Sequence, residues 1–319
     1  MAMTAVVTDT IPKTQDDNYH NIFFTEWNVN YGDVLDIGVE EDCDAGKDDI
    51  KVAEMIVGMA TAPEVGENQD WDFYAPEAGK SSTVSTKLFA FKFAASQDFR
   101  RYGHSQRLNE YPVKQAQILL NTVKIRFYNL LNNAFSSSYP LAYDAKELIA
   151  TDHPLAGGGT GTNELATPAD LSEDTLEALV QLLAETVNED GNLSPISPRK
   201  LVTSMSQWGD SVRYLESALT VDQLTAASAG AVQASGNAIN AINRKYNITP
   251  HNNPLILDPD AVFLIGERSP LTVLFADQGR PDLMPSYVDK GNQAWVWPCQ
   301  MKMTTYAKTW RGIVGTAGA

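Results

Sequence analysis

Cysteine is nearly absent from this 319-residue chain, which has only Cys43 and Cys299. Two thiols so far apart cannot form a disulfide framework and match no metal-ligand spacing, so they read as free thiols in a reducing compartment. Histidine is scarce as well: His20, His104, His153 and His251 are scattered and form no HExxH or His-x-His pattern, which removes the common zinc sites. No apolar run approaches the length of a bilayer span. The opening MAMTAVVTDTIPKTQDD also lacks the basic start and apolar stretch of an export signal, so a soluble protein retained where it is made is expected, with no membrane partner. Basic residues are outnumbered, 24 Lys and Arg against 40 Asp and Glu, for a formal charge of −16. Such a chain as a whole repels phosphate backbones, which excludes sequence-specific nucleic-acid binding as the main expectation.

What is present looks at first like chemistry. The stretch LIATDHPLAGGGTGTN, residues 148–163, places Asp152 and His153 beside a run of glycines. A Walker loop needs Gly-Lys-Ser/Thr after its first glycine and four residues. AGGGTGTN has no lysine, and Gly79-Lys80-Ser81 has Tyr74 where the first glycine belongs. A dinucleotide fingerprint needs a strand before the glycines and a helix opening on them, whereas TNELATPAD intervenes. Asp152 and His153 are sequence neighbours with no Ser or Cys nucleophile motif nearby, and Pro154 biases His153 to extended backbone, so a turn is the simpler reading. EEDCDAGKDD (40–49) resembles a calcium loop starting at Asp42 until the sixth position, Lys47, where the sharp turn requires glycine. No enzyme activity, cofactor or metal is expected.

The organisation of the chain is more informative. Residues 1–24 show no periodicity and read as an extended arm. IKVAEMIVGMATA (50–62) and VSTKLFAFKFAAS (84–96) read as two strands of a long ribbon, with Phe89, Phe91 and Phe93 on one face at period two. The loop between them carries Trp71, Phe73 and Tyr74. A ribbon of this kind is marginal alone in water and needs a surface to lie on. NEYPVKQAQILLNTVKIRFYNLLNNAF offers Asn109 as a cap and Pro112 in the first turn. Val113, Ala116, Leu120, Val123, Phe127, Leu130 and Ala134 follow at helical spacing, a helix of about 24 residues and roughly 36 Å. DLSEDTLEALVQLLAETV is a second amphipathic helix, with Asp170 and Glu173 as a capping box and Leu176, Leu179, Val180, Leu183 and Val187 on one face. A strand, turn and helix follow around Trp208 to Leu215. The small-residue stretch 219–243 can pack closely between helices or move, and its composition fits both. Strands are expected at PLILD and AVFLIG (254–266), and a closing pair at QAWVWPCQMKMTTYAKTWRGIVGT. Without a βαβ rhythm or an internal repeat, the class is α+β.

In this order these parts resemble the major capsid proteins of tailed bacteriophages (Caudoviricetes), with the Hong Kong 97-type fold. KLFAFKFAASQDFRRYGHSQRLNEYPVKQAQILLNTVKIRFYNLLNNAF resembles the return strand and spine helix of that family. LIATDHPLAGGGTGTN is similar to an Asp-x-x-His-Pro-Leu loop of Mu-like head subunits, SPRKLVTSMSQWGDSVRYL to a strand-turn-helix, and AWVWPCQMKMTTYAKTWRGIVGT to the last strands. The likeness covers roughly residues 80–319.

The resemblance implies an N-terminal arm (1–24), an extended β-ribbon region (25–98), a peripheral domain with the spine helix (99–164) and closing strands (273–319), and an axial domain (165–272). It implies a structural protein that self-assembles into hexamers and pentamers of an icosahedral virion head around double-stranded DNA, built in the host cytoplasm. Scaffolding, portal and decoration proteins are its further partners. Trp27, Trp71, Phe73, Tyr74, Phe89, Phe91 and Phe93 are the candidate inter-subunit contacts. The competing readings are an encapsulin-like nanocompartment shell and an enzyme using the Asp152–Asn163 loop.

Overall fold

The structure is a computed structural model and describes residues 13–43, 47, 49–52, 56–57, 64, 77–78, 81–96, 109–139, 141, 144–216, 245–276, 281–291 and 293–319. In chain order the described elements are α1 (Lys13–Asn30), α2 (Gly32–Leu35), β1 (Val39–Asp42), β2 (Asp49–Val52), β3 (Ile56–Val57), β4 (Glu77–Ala78), β5 (Ser82–Ser85) and β6 (Lys87–Ala95). Next come α3 (Glu110–Asn132), β7 (His153–Pro154), β8 (Thr160–Gly161), α4 (Glu173–Ala184), β9 (Pro198–Ser204) and α5 (Trp208–Glu216). The chain continues with β10 (Thr249–Asn253), β11 (Val262–Gly266), β12 (Leu271–Phe275), β13 (Asp282–Leu283), β14 (Tyr287–Val288), β15 (Trp295–Ala307) and β16 (Ile313–Thr316). They group into two compact units, one of residues 1–50, 85–127 and 273–305, the other of 51–84, 128–272 and 306–319. The second unit thus takes in 128–164, which the sequence reading grouped with the long helix.

The first unit is built on β15. Its outward and inward positions alternate, with Trp297, Cys299, Met301 and Met303 buried between half-buried Pro298, Gln300 and Lys302. Antiparallel β6 pairs with one edge of β15, setting Phe93 opposite Trp297, Phe91 opposite Cys299 and Phe89 opposite Met301. Because paired residues share a face of the sheet, the three phenylalanines belong to the same layer as the buried side chains of β15. On the other edge, β13 and β14 pair with residues 295–300 of the same strand. Helix α3 packs on this face: Tyr111 meets the Phe93 ring at 5.8 Å, the Arg126 guanidinium lies over Phe89, and Gln115 donates to the Trp297 carbonyl at 3.1 Å.

Residues 13–24, read as an extended arm, are helical in α1, and residues 1–12 lie outside the described residues. The physical reason is a ladder of aromatic residues four apart: Tyr19, Phe23 and Trp27, continued by Tyr31, are each less than a tenth exposed. That spacing stacks side chains on one helical face. The Tyr19 ring lies flat on Trp297 at 4.9 Å, and its hydroxyl donates to buried Gln115 at 2.6 Å.

In the second unit a mixed sheet runs in the order β10-β9-β11-β16, parallel only between β10 and β9. Leu176, Leu179 and Leu183 of α4 and Leu215 of α5 pack against Leu201, Val262, Leu264 and Val314 of this sheet. The cap of α4 is Ser172, whose hydroxyl accepts from the Thr175 amide at 3.1 Å, and not Asp170, whose carboxylate receives the Ala319 amide instead. PLILD is not a strand: the sheet uses TPHNN one step earlier, where Asn252 and Asn253 bond to neighbouring side chains. The expected closing pair separates, since β15 serves the first sheet and β16 pairs with β11 in the second. Two strand pairs of the ribbon lie among the described residues. Strands β2 and β5 pair, and β3 pairs antiparallel with β4, while 87–95 leaves the ribbon to join β15.

Candidate functional site

The loop of residues 148–163 folds around a buried polar cluster. Asn163 is 1% exposed, and the two N–H groups of its Nδ2 are shared among the carbonyls of Leu148 (2.8 Å), Trp310 (3.2 Å) and Ile313 (3.1 Å). Three carbonyl acceptors fix the orientation of the amide, so Oδ1 faces the other way, where it accepts the Ala150 amide (2.9 Å) and His153 Nε2 (3.1 Å). Nε2 must therefore be a donor. The other ring nitrogen, Nδ1, lies 2.7 Å from an Asp144 carboxyl oxygen, and both of these side chains are fully buried. One proton is thus held between imidazole and carboxyl, out of reach of water. The ring is sandwiched flat on Trp310, with centroids 4.8 Å apart and planes 6° apart.

Glycine is needed here for two separate reasons. Gly158 and Gly159 have φ of +94° and +87°, a region that side chains disfavour, and a Cβ on Gly161 would stand about 2.5 Å from the Trp310 ring. A second tie closes the loop from the other side. Arg311 donates through Nε to the Val187 carbonyl and through Nη1 to Glu189 at 2.7 Å, and its guanidinium covers the Trp310 ring at 4.5 Å. The other Glu189 carboxylate oxygen accepts the Ala156 amide. Asp152 points away to solvent and pairs with Lys146, which holds its carboxyl below the usual range and raises the lysine.

An Asp-His-Asn constellation suggests acid–base catalysis, but a general base needs a lone pair within reach of a substrate proton. His153 offers none: both nitrogens are committed, its faces are packed, and no nucleophile stands beside it. The cluster fastens residues 144–163 to residues 310–313. Among the described residues no group of three or more His, Cys, Asp or Glu could hold a metal ion, and no helix is long and apolar enough to cross a membrane.

The candidate contact residues divide three ways. Trp27 is 3% exposed and stacks on Tyr31, so it serves the subunit's own core and has almost no surface left for a neighbour. Phe89, Phe91 and Phe93 are half-buried in the layer between β15 and α3. Trp71, Phe73 and Tyr74 lie outside the described residues. The sequence reading singled out neither Asp144, Glu189 nor Trp310, and took Asn163 only as the end of the glycine loop and Arg311 only as part of the closing strands; Asp144 gains its role from His153 nine residues on, and Asn163 from partners up to 150 residues away.

No family model matches the sequence, and no curated protein sequence matches it. The fold has solved counterparts. The capsid of Ralstonia phage GP4 superposes with a TM-score of 0.54 at 11% identity over 88% of this chain and 86% of that one. A virus-like particle from Pyrococcus furiosus gives 0.53 at 11% identity over 93% and 99%, and the capsid of cyanophage Pam1 gives 0.51 at 12% over 87% of each. The long helix, the sheet built on β15 and the mixed sheet of the second unit thus make up a fold that this chain shares with these capsid and virus-like-particle proteins. Within that class it is the fold of the tailed-phage major capsid proteins.

Proposed function

We propose that this chain is the major capsid protein of a tailed bacteriophage, self-assembling into hexamers and pentamers of an icosahedral virion head that encloses double-stranded DNA. The observation that carries this reading is the extent of the likeness, which takes in 93% of this chain and 99% of the Pyrococcus furiosus particle subunit. The contribution is mechanical and not catalytic: the buried His153 cluster supports this, being arranged to fasten and not to turn over a substrate. Residues 1–24, helical from Lys13, are the arm, 25–98 the extended loop region, 99–164 and 273–319 the peripheral domain, and 165–272 the axial domain. Trp71, Phe73 and Tyr74 at the ribbon tip are the inter-subunit contacts. A charge of −16 keeps the shell from gripping its genome without sequence-specific contacts. Scaffolding, portal and decoration proteins complete the set of partners.

Expression of the chain alone, followed by light scattering and negative-stain electron microscopy, tests the proposal. Closed polyhedral shells, or rings of five and six subunits, are expected. A monodisperse monomer or dimer that stays unassembled when a scaffolding protein is supplied overturns it. Shells that package enzymes and never DNA favour the nanocompartment.

A further inference from the structure

One end of the mixed sheet in the second unit carries large apolar side chains that the fold leaves open. Met205, Trp208 and Leu257 are each more than half exposed. They come together because β11 and β9 are antiparallel and pair Val262 with Thr203, which sets the turn entering β11 beside the turn leaving β9. The Pro259 carbonyl ties the two turns, with Ser204 Oγ at 3.1 Å and Ser206 Oγ at 3.3 Å. Both turns are pinned from behind as well. Asn132 accepts the Leu257 amide and donates to the Leu255 carbonyl, each at 2.9 Å, and Ser211 Oγ donates to the Trp208 carbonyl at 2.9 Å. A partner therefore meets a face already in shape and loses little affinity to ordering it. Exposed apolar residues scattered singly are ordinary, but a tryptophan, a methionine and a leucine on two tied turns make the kind of patch that marks a contact. Trp and Met are enriched at the cores of protein interfaces, and Trp is prominent among their hot spots. The rim is acidic. Asp258 and Asp260 are both exposed on the same turn as Leu257, whereas Asp210 and Arg213 of α5 pair with each other at 3.1 Å and cancel.

We propose that Met205, Trp208 and Leu257 form the docking face for a different protein, one that presents an aliphatic or aromatic anchor flanked by Lys or Arg. Charge decides the occupant. A second copy of this chain brings 16 more acids than bases, and a twofold pairing of the face with itself sets four carboxylates against one another, so Asp258 and Asp260 disfavour it. Nucleic acid is turned away on the same ground. A basic partner gains speed of encounter and register from the same two acids, while the apolar centre holds it in place. Docking here does not require that the chain form shells.

The test uses the full chain and two fluorescein-labelled heptapeptides with Leu-Phe-Leu at the centre, one with a pair of Lys at each end and the other with a pair of Glu. Fluorescence anisotropy is expected to show saturable binding of the lysine peptide, at least about tenfold tighter than that of its acidic twin. Trp208→Ser and Leu257→Ser are each expected to weaken it at least about fivefold, with the unfolding midpoint unchanged because both side chains are exposed. D258K/D260K is expected to reverse the preference between the peptides, a gain of binding that a misfolded chain cannot produce. Equal affinity for the two peptides, absence of saturable binding, or binding that survives both serine variants overturns the proposal. So does a Trp208→Ser chain that binds the lysine peptide normally but loses self-association in analytical ultracentrifugation, which assigns the face to a second copy instead.

Discussion

The loop at 144–163 and the ribbon at 49–85 are opposites. The first sets an acid, a histidine and a run of glycines side by side and turns out to be closed at its centre: the Asp144, His153 and Asn163 side chains are buried and paired, and the imidazole is stacked on Trp310. The second shows no chemistry, and among the described residues its short strands pair as two-stranded sheets, an arrangement that is marginal without a further surface. The difference teaches that a fully satisfied segment holds the chain's own fold together, whereas under the proposed function a less satisfied one is the place to look for contacts between copies.

The contrast is broken most forcefully at Asn163. Asn163→Leu removes a buried amide that bonds three backbone carbonyls, the Ala150 amide and His153 at once. A loss of about 3–5 kcal/mol in subunit stability is expected by urea unfolding of the dissociated chain; a loss below about 1 kcal/mol would mean that the cluster is not a fastener. His153→Phe keeps the stack on Trp310 but strands Asp144 and the Asn163 oxygen, at a cost of about 2–3 kcal/mol. A smaller effect on stability, with a larger one on assembly, belongs to the ribbon. Replacing residues 58–76 by Asn-Gly joins Val57 to Glu77, which already face each other in antiparallel register, with the turn such a pair prefers. The unfolding midpoint is expected to stay unchanged while shell yield falls about tenfold or more; a destabilised subunit, or normal shells, would erase the distinction. The smallest effect is a control. The Cys299 thiol is 1% exposed and burial pushes its pKa up to about 12, so it should not react with a thiol reagent at pH 8 until the subunit unfolds. Prompt labelling of folded subunits would show that the first unit opens locally.

Much of the scaffold could be read from the residues. The stripes of α3 and α4 and the strand, turn and helix around Trp208 follow spacing rules that need no distant partner, and the structure places them there, except that Ala134 and Val187 lie past the helix ends at Asn132 and Ala184. The aromatic ladder of α1 was equally legible, since Tyr19, Phe23 and Trp27 sit four apart, but it is one residue wide and its polar flanks hid it. What local pattern cannot give is who pairs with whom. Alternation announces β15 and β16 and is silent about their serving different sheets. Asp144, His153 and Asn163 acquire meaning only when residues 310–313 arrive beside them.

That arrival has a consequence in time. Strand β15 is the spine of one sheet and β16 completes the other, and both are translated after every other described strand. While residues 295–316 are still inside the ribosome, neither sheet can close and Asn163 has no carbonyls from 310 and 313 to bind. A chain growing on a crowded polysome is therefore incomplete in both units at once, and each is finished only when synthesis has delivered these strands. Vectorial synthesis thus acts as a clock that sets when either sheet can close.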